Sequence, residues 1–208
     1  MNRVVLIDGE NLTYALRNYD KKSGGDGGRA FLSSFDYRKM LSILLEDMDF
    51  DDVFWFGARI KVSKEAMGLP EVRDKVEGHI KQQNRLVNQL KRQDIKFEKV
   101  GYLRDRQVEV GEVAGLRLTE KGVDVGLAVK IMELSIDHPD IEVVLLSSDT
   151  DLLPAIDSAK SRGVKFVFVG YDYMPIMSIQ KRSHTTRLIT PALFRECRGD
   201  LGKVIQDA

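Results

Sequence analysis

"VVLLSSDTDLLPAI", residues 143–156, sets the reading of the whole chain. Four apolar residues run into two serines, two aspartates stand two apart, and an apolar run with a proline follows. A continuous β-branched apolar run is the mark of a strand buried on both faces, as in parallel sheets. Pro154 suits a first helical turn, and the apolar spacing beyond it predicts a helix over Asp151–Ser161. Asp149 and Asp151 thus stand where a buried strand hands over to a helix. In open α/β sheets, ligands bind outside that carboxyl-terminal strand edge.

Working outward, "RVVLI" at 3–7 is a second strand of the same kind and runs into Asp8. "DVFWFGARIKV" (52–62), "IKFEKVGYL" (95–103) and "VKFVFVG" (164–170) read as further strands. Helical spacing appears over 35–48, through Tyr37, Met40, Leu41, Leu44, Leu45 and Met48; Pro70 suits the first turn of a further helix to about Gln93, whose apolar spacing is thin, and 123–135 reads as another. Residues 106–120 alternate polar and apolar, which predicts a hairpin serving as a dimer edge or a substrate flap. The glycine-rich stretch 21–29 reads as a mobile loop. Beyond Tyr173 the pattern is weaker and reads as two short helices around "RLI". Strands alternating with helices place the chain in the α/β class with a mostly parallel sheet. We expect one domain over 1–195 and a C-terminal tail over 196–208.

Composition narrows the function. With 43% hydrophobic and 31% charged residues, the 208-residue chain is long enough to bury a sizeable core. Lysine plus arginine and aspartate plus glutamate both number 32, so any attraction to nucleic acid comes from a local patch. The single cysteine, Cys197, excludes an intrachain disulfide and fits a reducing, cytoplasmic compartment. No apolar run approaches a membrane span, and the few apolar residues before Asp8 are too short for a secretory signal core. His79, His138 and His184 are scattered without ligand spacing, so zinc is not expected. "GGDGG" lacks the lysine and hydroxyl of a phosphate-binding loop.

Four aspartates, Asp8, Asp124, Asp149 and Asp151, fall at strand ends or helix starts. Carboxylates gathered in one cleft repel each other and resist desolvation, and a divalent cation removes that penalty. Mg²⁺ suits such a set because it takes one or two carboxylates, keeps waters and accepts phosphate oxygens. The competing reading is helix capping, a favoured role of aspartate. Capping explains Asp8 least well, because a glycine and no periodic apolar helix follows it.

"LIDGENL" (6–12), "KGVDVGLAVKIMEL" (121–134) and "LLSSDTDLLPAIDSAKSRGVKFVFVG" (145–170) together resemble the NYN domain, particularly its LabA-like (DUF88) branch within the PIN-like nucleases. The resemblance implies a three-layer α/β/α Rossmann-like sandwich and an acidic site for Mg²⁺ or Mn²⁺ at the strand ends. It implies ribonuclease chemistry, with Asp8, Asp124, Asp149 and Asp151 as the metal-binding, catalytic acids. Asn11 matches the family's motif asparagine, expected to orient Asp8 or touch a phosphate, and Ser147 a small hydroxyl position before the late acids. Lys130 departs from the pattern, standing where many relatives carry another acid.

The expected reaction is therefore hydrolysis of RNA, with single-stranded DNA a further substrate, by in-line attack of water on phosphorus. Lys121 or Lys130 would neutralise the phosphate. Arg59, Lys61, Lys64, Lys81, Arg85 and Arg92 would either bind the strand or simply solvate an exposed helix face, and Tyr171 and Tyr173 more often pack a loop at such places than stack on bases. The alternative is a catalytically inert RNA-binding or protein-interaction module of the same fold. A Toprim reading would use Glu10 with Asp149 and Asp151 but leaves Asp124 unexplained. A phosphatase reading wants an aspartate where Glu10 stands.

Overall fold

The chain builds a seven-stranded sheet in the order β4-β3-β2-β1-β5-β6-β7. The strands are β1 Arg3–Asp8, β2 Asp52–Ile60, β3 Lys96–Val110, β4 Val113–Lys121, β5 Glu142–Leu146, β6 Lys165–Tyr171 and β7 Thr185–Ile189. The structure is a computed structural model that describes residues 2–60, 70–110 and 113–199. Lys61, Lys64, residues 111–112 and the end of the expected tail lie outside the described residues. All neighbouring strands pair in parallel except β3 and β4, which form the antiparallel hairpin expected from the alternation over 106–120.

The helices are α1 Gly9–Lys22, α2 Tyr37–Leu44, α3 Pro70–Arg92, α4 Val123–Asp137, α5 Leu153–Ser161, α6 Met177–Gln180 and α7 Pro191–Cys197. Two cores cover the two faces of the sheet. Val5, Ile7, Trp55, Val144 and Leu146 pack with Leu12 and Leu16 of α1, Tyr37 and Leu41 of α2, Leu90 of α3 and Phe194 of α7. On the other face Val4, Leu6, Phe56, Val143 and Leu145 pack with Leu127 and Ile131 of α4 and Ile156 of α5. This is an α/β/α sandwich with a mostly parallel sheet. Val5, Leu6 and Ile7 are fully buried, and each such side chain contributes roughly 1.5–3 kcal/mol relative to exposure.

Helix α1 is the element absent from the sequence reading. Leu12, Ala15, Leu16 and Tyr19 are all buried at helical spacing, so the signal was present but masked by polar neighbours. The two short helices expected around "RLI" are α6 and α7, and "RLI" itself lies in a strand, β7, that the sequence reading did not name. The glycine-rich stretch is not free either. The buried Asp20 carboxylate accepts from the Gly27 amide at 2.9 Å and pairs with Arg198 at 2.7 Å, so loop and C-terminal segment close over one charge. A buried carboxylate needs such partners, since leaving it unpaired costs several kcal/mol. Packing therefore runs past the expected boundary at 195: Cys197 is buried and its carbonyl accepts from the Asp36 amide.

Gly9 begins α1 directly against β2. A Cβ there would stand 2.1 Å from Trp55 Nε1 and 2.5 Å from the Phe56 carbonyl oxygen. Only glycine lets the first turn sit this low on the sheet. We predict that Gly9→Ala lowers the unfolding free energy by about 2–3 kcal/mol in urea denaturation. Gly78→Ala, where nothing lies within 4 Å of the new methyl, should instead stabilise by about 0.5–1 kcal/mol.

Candidate metal centre at the sheet switch point

The chain winds from β1 outward through β2 and β3, then returns to place β5 on the other side of β1. The winding reverses between β1 and β5, and such a switch point opens a crevice at the carboxyl ends of the strands. Register brings the acids to one level. Ile7 pairs with Leu146, so Asp8 and Ser147 follow side by side. Helix α4 starts at the same edge and adds Asp124.

Asp124, Asp149 and Asp151 each place a carboxylate oxygen within 4.8 Å of the others. Two oxygens on opposite sides of a Mg²⁺ ion stand about 4.2 Å apart, so small rotamer changes close this set on an ion. Asp124 and Asp149 are half-buried and Asp151 is exposed, which leaves the cluster open to substrate. The donor set is all oxygen, as a hard cation requires. Capping and ligation do not compete here. Asp149 caps the short turn Thr150–Leu152 through one oxygen, accepting from the Asp151 amide at 2.9 Å, and keeps its second oxygen free for an ion. Asp124 caps nothing, because the N-cap of α4 is Gly122, with φ +84°.

Asp8 stands outside this triad and is a helix cap, contrary to the expectation from its glycine neighbour. Its Oδ1 accepts from the Asn11 amide at 3.1 Å, closing the start of α1. Its Oδ2 accepts from the Ser147 hydroxyl at 2.9 Å, and that hydroxyl accepts from the Asp149 amide at 3.1 Å. Ser147 is fully buried, so its hydroxyl does not reach a substrate; it links the acid of β1 to the turn that carries the triad. Burial is the main cause that raises the Asp8 carboxyl above its ordinary range, with the nearby Asp149 charge adding to it.

Asn11 holds the next joint. Its side-chain amide donates to Ser148 Oγ at 2.8 Å and its oxygen accepts from the Ser148 amide at 3.2 Å. The Tyr171 hydroxyl donates to the same oxygen at 2.9 Å. Tyr171 is 1% exposed and has no free face for a base, which removes it as a stacking residue. Tyr173 is half-buried, stacked on Tyr171 and edge-on to Tyr19. Sequence reasoning missed Ser148 and the Tyr171 contact, since neither has a spacing signal.

The cations separate into two groups. Lys121 ends β4, is exposed and lies three residues before Asp124. Arg59 is exposed at the end of β2, and Gln83 of α3 donates to the Ala58 carbonyl at 2.9 Å. Lys81 and Arg85 stand two residues either side of Gln83 and are exposed, so they lie on the side of α3 turned away from that bond. Lys130 is not at the acids. It lies six residues, about 9 Å, further along α4, with Nζ 3.5 Å from Glu133 and 5.2 Å from the Phe54 ring centre. The departure at this position therefore leaves the acid triad intact.

The raised Asp8 carboxyl gives a pH test. A carboxyl whose pKa is higher folded than unfolded favours the folded state only while protonated, so its contribution is present below the unfolded value and lost as pH rises through the folded one. Asparagine caps as well as aspartate and carries no charge to desolvate. In EDTA we predict that Asp8→Asn melts above the wild type at pH 7 in calorimetry, and that the gap closes as pH falls below 3.8, the ordinary value for the group.

Comparison with known proteins agrees with this geometry. A solved structure of a protein of unknown function from Vibrio parahaemolyticus superposes with a TM-score of 0.51 at 18% identity, covering 90% of this chain and 92% of that one. It shows the fold. Among curated proteins there is no significant match. The NYN domain model matches residues 3–190, a span that runs from β1 into β7 and on to the cap of α7 and holds every acid of the cluster, and the chain belongs to the NYN domain family.

Proposed function

We propose that the chain is a metal-dependent ribonuclease of the LabA-like branch, hydrolysing RNA phosphodiester bonds at the aspartate triad with Mg²⁺ or Mn²⁺. The observation that carries this reading is the convergence of Asp124, Asp149 and Asp151 within 4.8 Å at the sheet's switch point. A divalent cation held there supplies Lewis acidity toward water and a phosphodiester. Asp8 serves from behind, holding Ser147 and through it the backbone of Asp149. Asn11 locks the Ser148 turn, so the carboxylates meet an ion with little rearrangement. Lys121 and Arg59 at the strand ends, with the exposed Lys81 and Arg85 on α3, supply positive charge to the RNA backbone.

The inert-module alternative keeps the fold and a structural ion but cuts nothing, and the same experiment separates them. Labelled RNA and DNA pools are incubated with Mg²⁺, Mn²⁺ or EDTA and resolved on gels. We predict cleavage that EDTA abolishes and that Asp124→Asn and Asp149→Asn each reduce at least about a hundredfold, the scale of a few kcal/mol of lost charge stabilisation. Cutting of RNA alone or of single-stranded DNA as well sets the substrate. Intact fold with no cutting in any metal refutes the nuclease.

Among the described residues no helix is long and apolar enough to cross a membrane. Our reading places the protein in the cytoplasm, supported by the buried, unpaired Cys197. It includes a homodimer, supported by the outward stripe on α4 of Val125, Val129 and Ile136, which are 51–64% exposed. Sedimentation at micromolar concentration should show a dimer that Val129→Glu converts to monomer; a wild-type monomer removes it.

A further inference from the structure

Two serines stand side by side before the late acids, and their hydroxyls are used differently. Ser147 is fully buried and spent: its proton goes to Asp8 Oδ2 at 2.9 Å, and a lone pair takes the Asp149 amide at 3.1 Å. Ser148 is half-buried and directly precedes Asp149. Among the described residues its side chain bonds Asn11 alone. The fate of its proton follows from the donors and lone pairs around that one amide.

The neighbours of Asn11 fix which way its amide points. A backbone N–H can only donate, so the Asn11 atom that the Ser148 amide meets at 3.2 Å is the oxygen, Oδ1. The Tyr171 hydroxyl donates to the same oxygen at 2.9 Å. Tyr171 is 1% exposed, so water offers its proton no other acceptor. A carbonyl oxygen has two lone pairs, and these two donors fill them. Nδ2 is then the atom 2.8 Å from Ser148 Oγ, and it donates there. Ser148 Oγ also stands 3.1 Å from Oδ1. That is the longer approach, the oxygen is already filled, and a proton sent there would run back beside the N–H that Oγ accepts. Toward Asn11 the Ser148 hydroxyl is therefore an acceptor, and it keeps its own proton for another partner. Among the described residues no bond from that hydroxyl reaches Asp124, Asp149 or Asp151.

We propose that the Ser148 hydroxyl is a phosphate-binding donor of the metal centre, giving its proton to a non-bridging oxygen of the phosphate that meets the ion, and that Tyr171 is the positioning residue that keeps this proton available by occupying Asn11. The proposal deepens the nuclease reading and rests on it for the ion and the phosphodiester. Ser148 and Asp149 are adjacent, their Cα atoms about 3.8 Å apart, so an ion on Asp149 brings its phosphate to the turn that carries the hydroxyl. Mg²⁺ takes carboxylates and substrate phosphate oxygens together, and a hydrogen bond to a charged oxygen is of the stronger kind. The triad is complete without Ser148, so this residue bears on the phosphate and not on the ion.

The test reads binding without cleavage. Inorganic phosphate is titrated into the Mn²⁺-loaded protein, with protein in excess over the ion, and followed by paramagnetic broadening of its phosphorus resonance. Mn²⁺ affinity is measured by calorimetry on the same variants. Ser148→Ala should weaken phosphate binding about tenfold or more and leave Mn²⁺ affinity within about twofold, because the amide of residue 148 still holds Asn11. Tyr171→Phe keeps the buried ring but empties one lone pair of Asn11 Oδ1. The Ser148 proton then turns to that oxygen, and phosphate binding falls again with Mn²⁺ affinity kept. Because Tyr171 acts through that proton, the double variant should bind phosphate no more weakly than Ser148→Ala alone; additive losses remove Tyr171 from the assignment. Melting temperatures are compared in parallel. Three outcomes overturn the phosphate contact: Ser148→Ala binding phosphate within about twofold of the wild type, Mn²⁺ affinity falling in step with phosphate affinity, or no phosphate bound by the wild type in Mn²⁺. The second of these means that the hydroxyl merely braces the turn. The nuclease reading is judged separately by Asp149-dependent cleavage. Ser148-dependent phosphate binding without any cleavage keeps the contact and refutes the nuclease, and cleavage with phosphate binding indifferent to Ser148 does the reverse.

Discussion

One hydroxyl joins the two central strands at the point where the sheet reverses. Ser147 donates to the Asp8 carboxylate at the end of β1 and accepts from the Asp149 amide beyond β5. It is fully buried, so water does not compete for either bond, and in such surroundings a satisfied hydrogen bond counts for more and an unsatisfied one costs more. Asp8, largely removed from water and close to Asp149, would be poorly tolerated without its two donors. Asp149 in turn is aimed by its own amide before its side chain meets anything. The backbone that carries the triad is thus placed at a sheet edge, and rotamer changes of its side chains complete the set.

The joint works because the sheet beneath it leaves no slack. β1 and β5 are apolar on both faces, and parallel pairing from Arg3↔Glu142 to Ile7↔Leu146 fixes their relative height. At the far end of the same pair the Arg3 guanidinium bonds Glu142 at 2.5 Å with both side chains largely buried. A slip of one residue would turn each strand's core-facing side chains to the wrong layer. Gly9 then lowers α1 onto Trp55, which brings Asn11 to Ser148. Packing of one glycine against one indole therefore connects the fold to the turn that carries the late acids.

Much of this was legible in the residues. The buried strands announced themselves through β-branched apolar runs at 3–7, 143–146 and 164–170, and the acids after them through their position at strand ends. Helix α1 was not read, because Gly9, Glu10 and Asn11 look like a loop while Leu12, Ala15, Leu16 and Tyr19 carry the helical period. Missing that helix turned Asp8 into an apparent free acid, although it is the cap. Tyr171 looked like a loop-tip aromatic in "GYDYMP", yet it closes β6 and points inward. Lys130 stood in the right motif, but the turn of α4 carries it to Phe54 and Glu133.

By itself the sequence determined the α/β class, the parallel core and the aspartates as a group, because apolar period and residue type are local properties of the chain. Only the tertiary structure decided which three acids meet, which one caps, and which tyrosine faces water. Those depend on strand register and on the height at which a helix lands on the sheet. Both are set by contacts between residues far apart in sequence, Ile7 with Leu146, Gly9 with Trp55 and Asn11 with Ser148, and no local pattern encodes such distances.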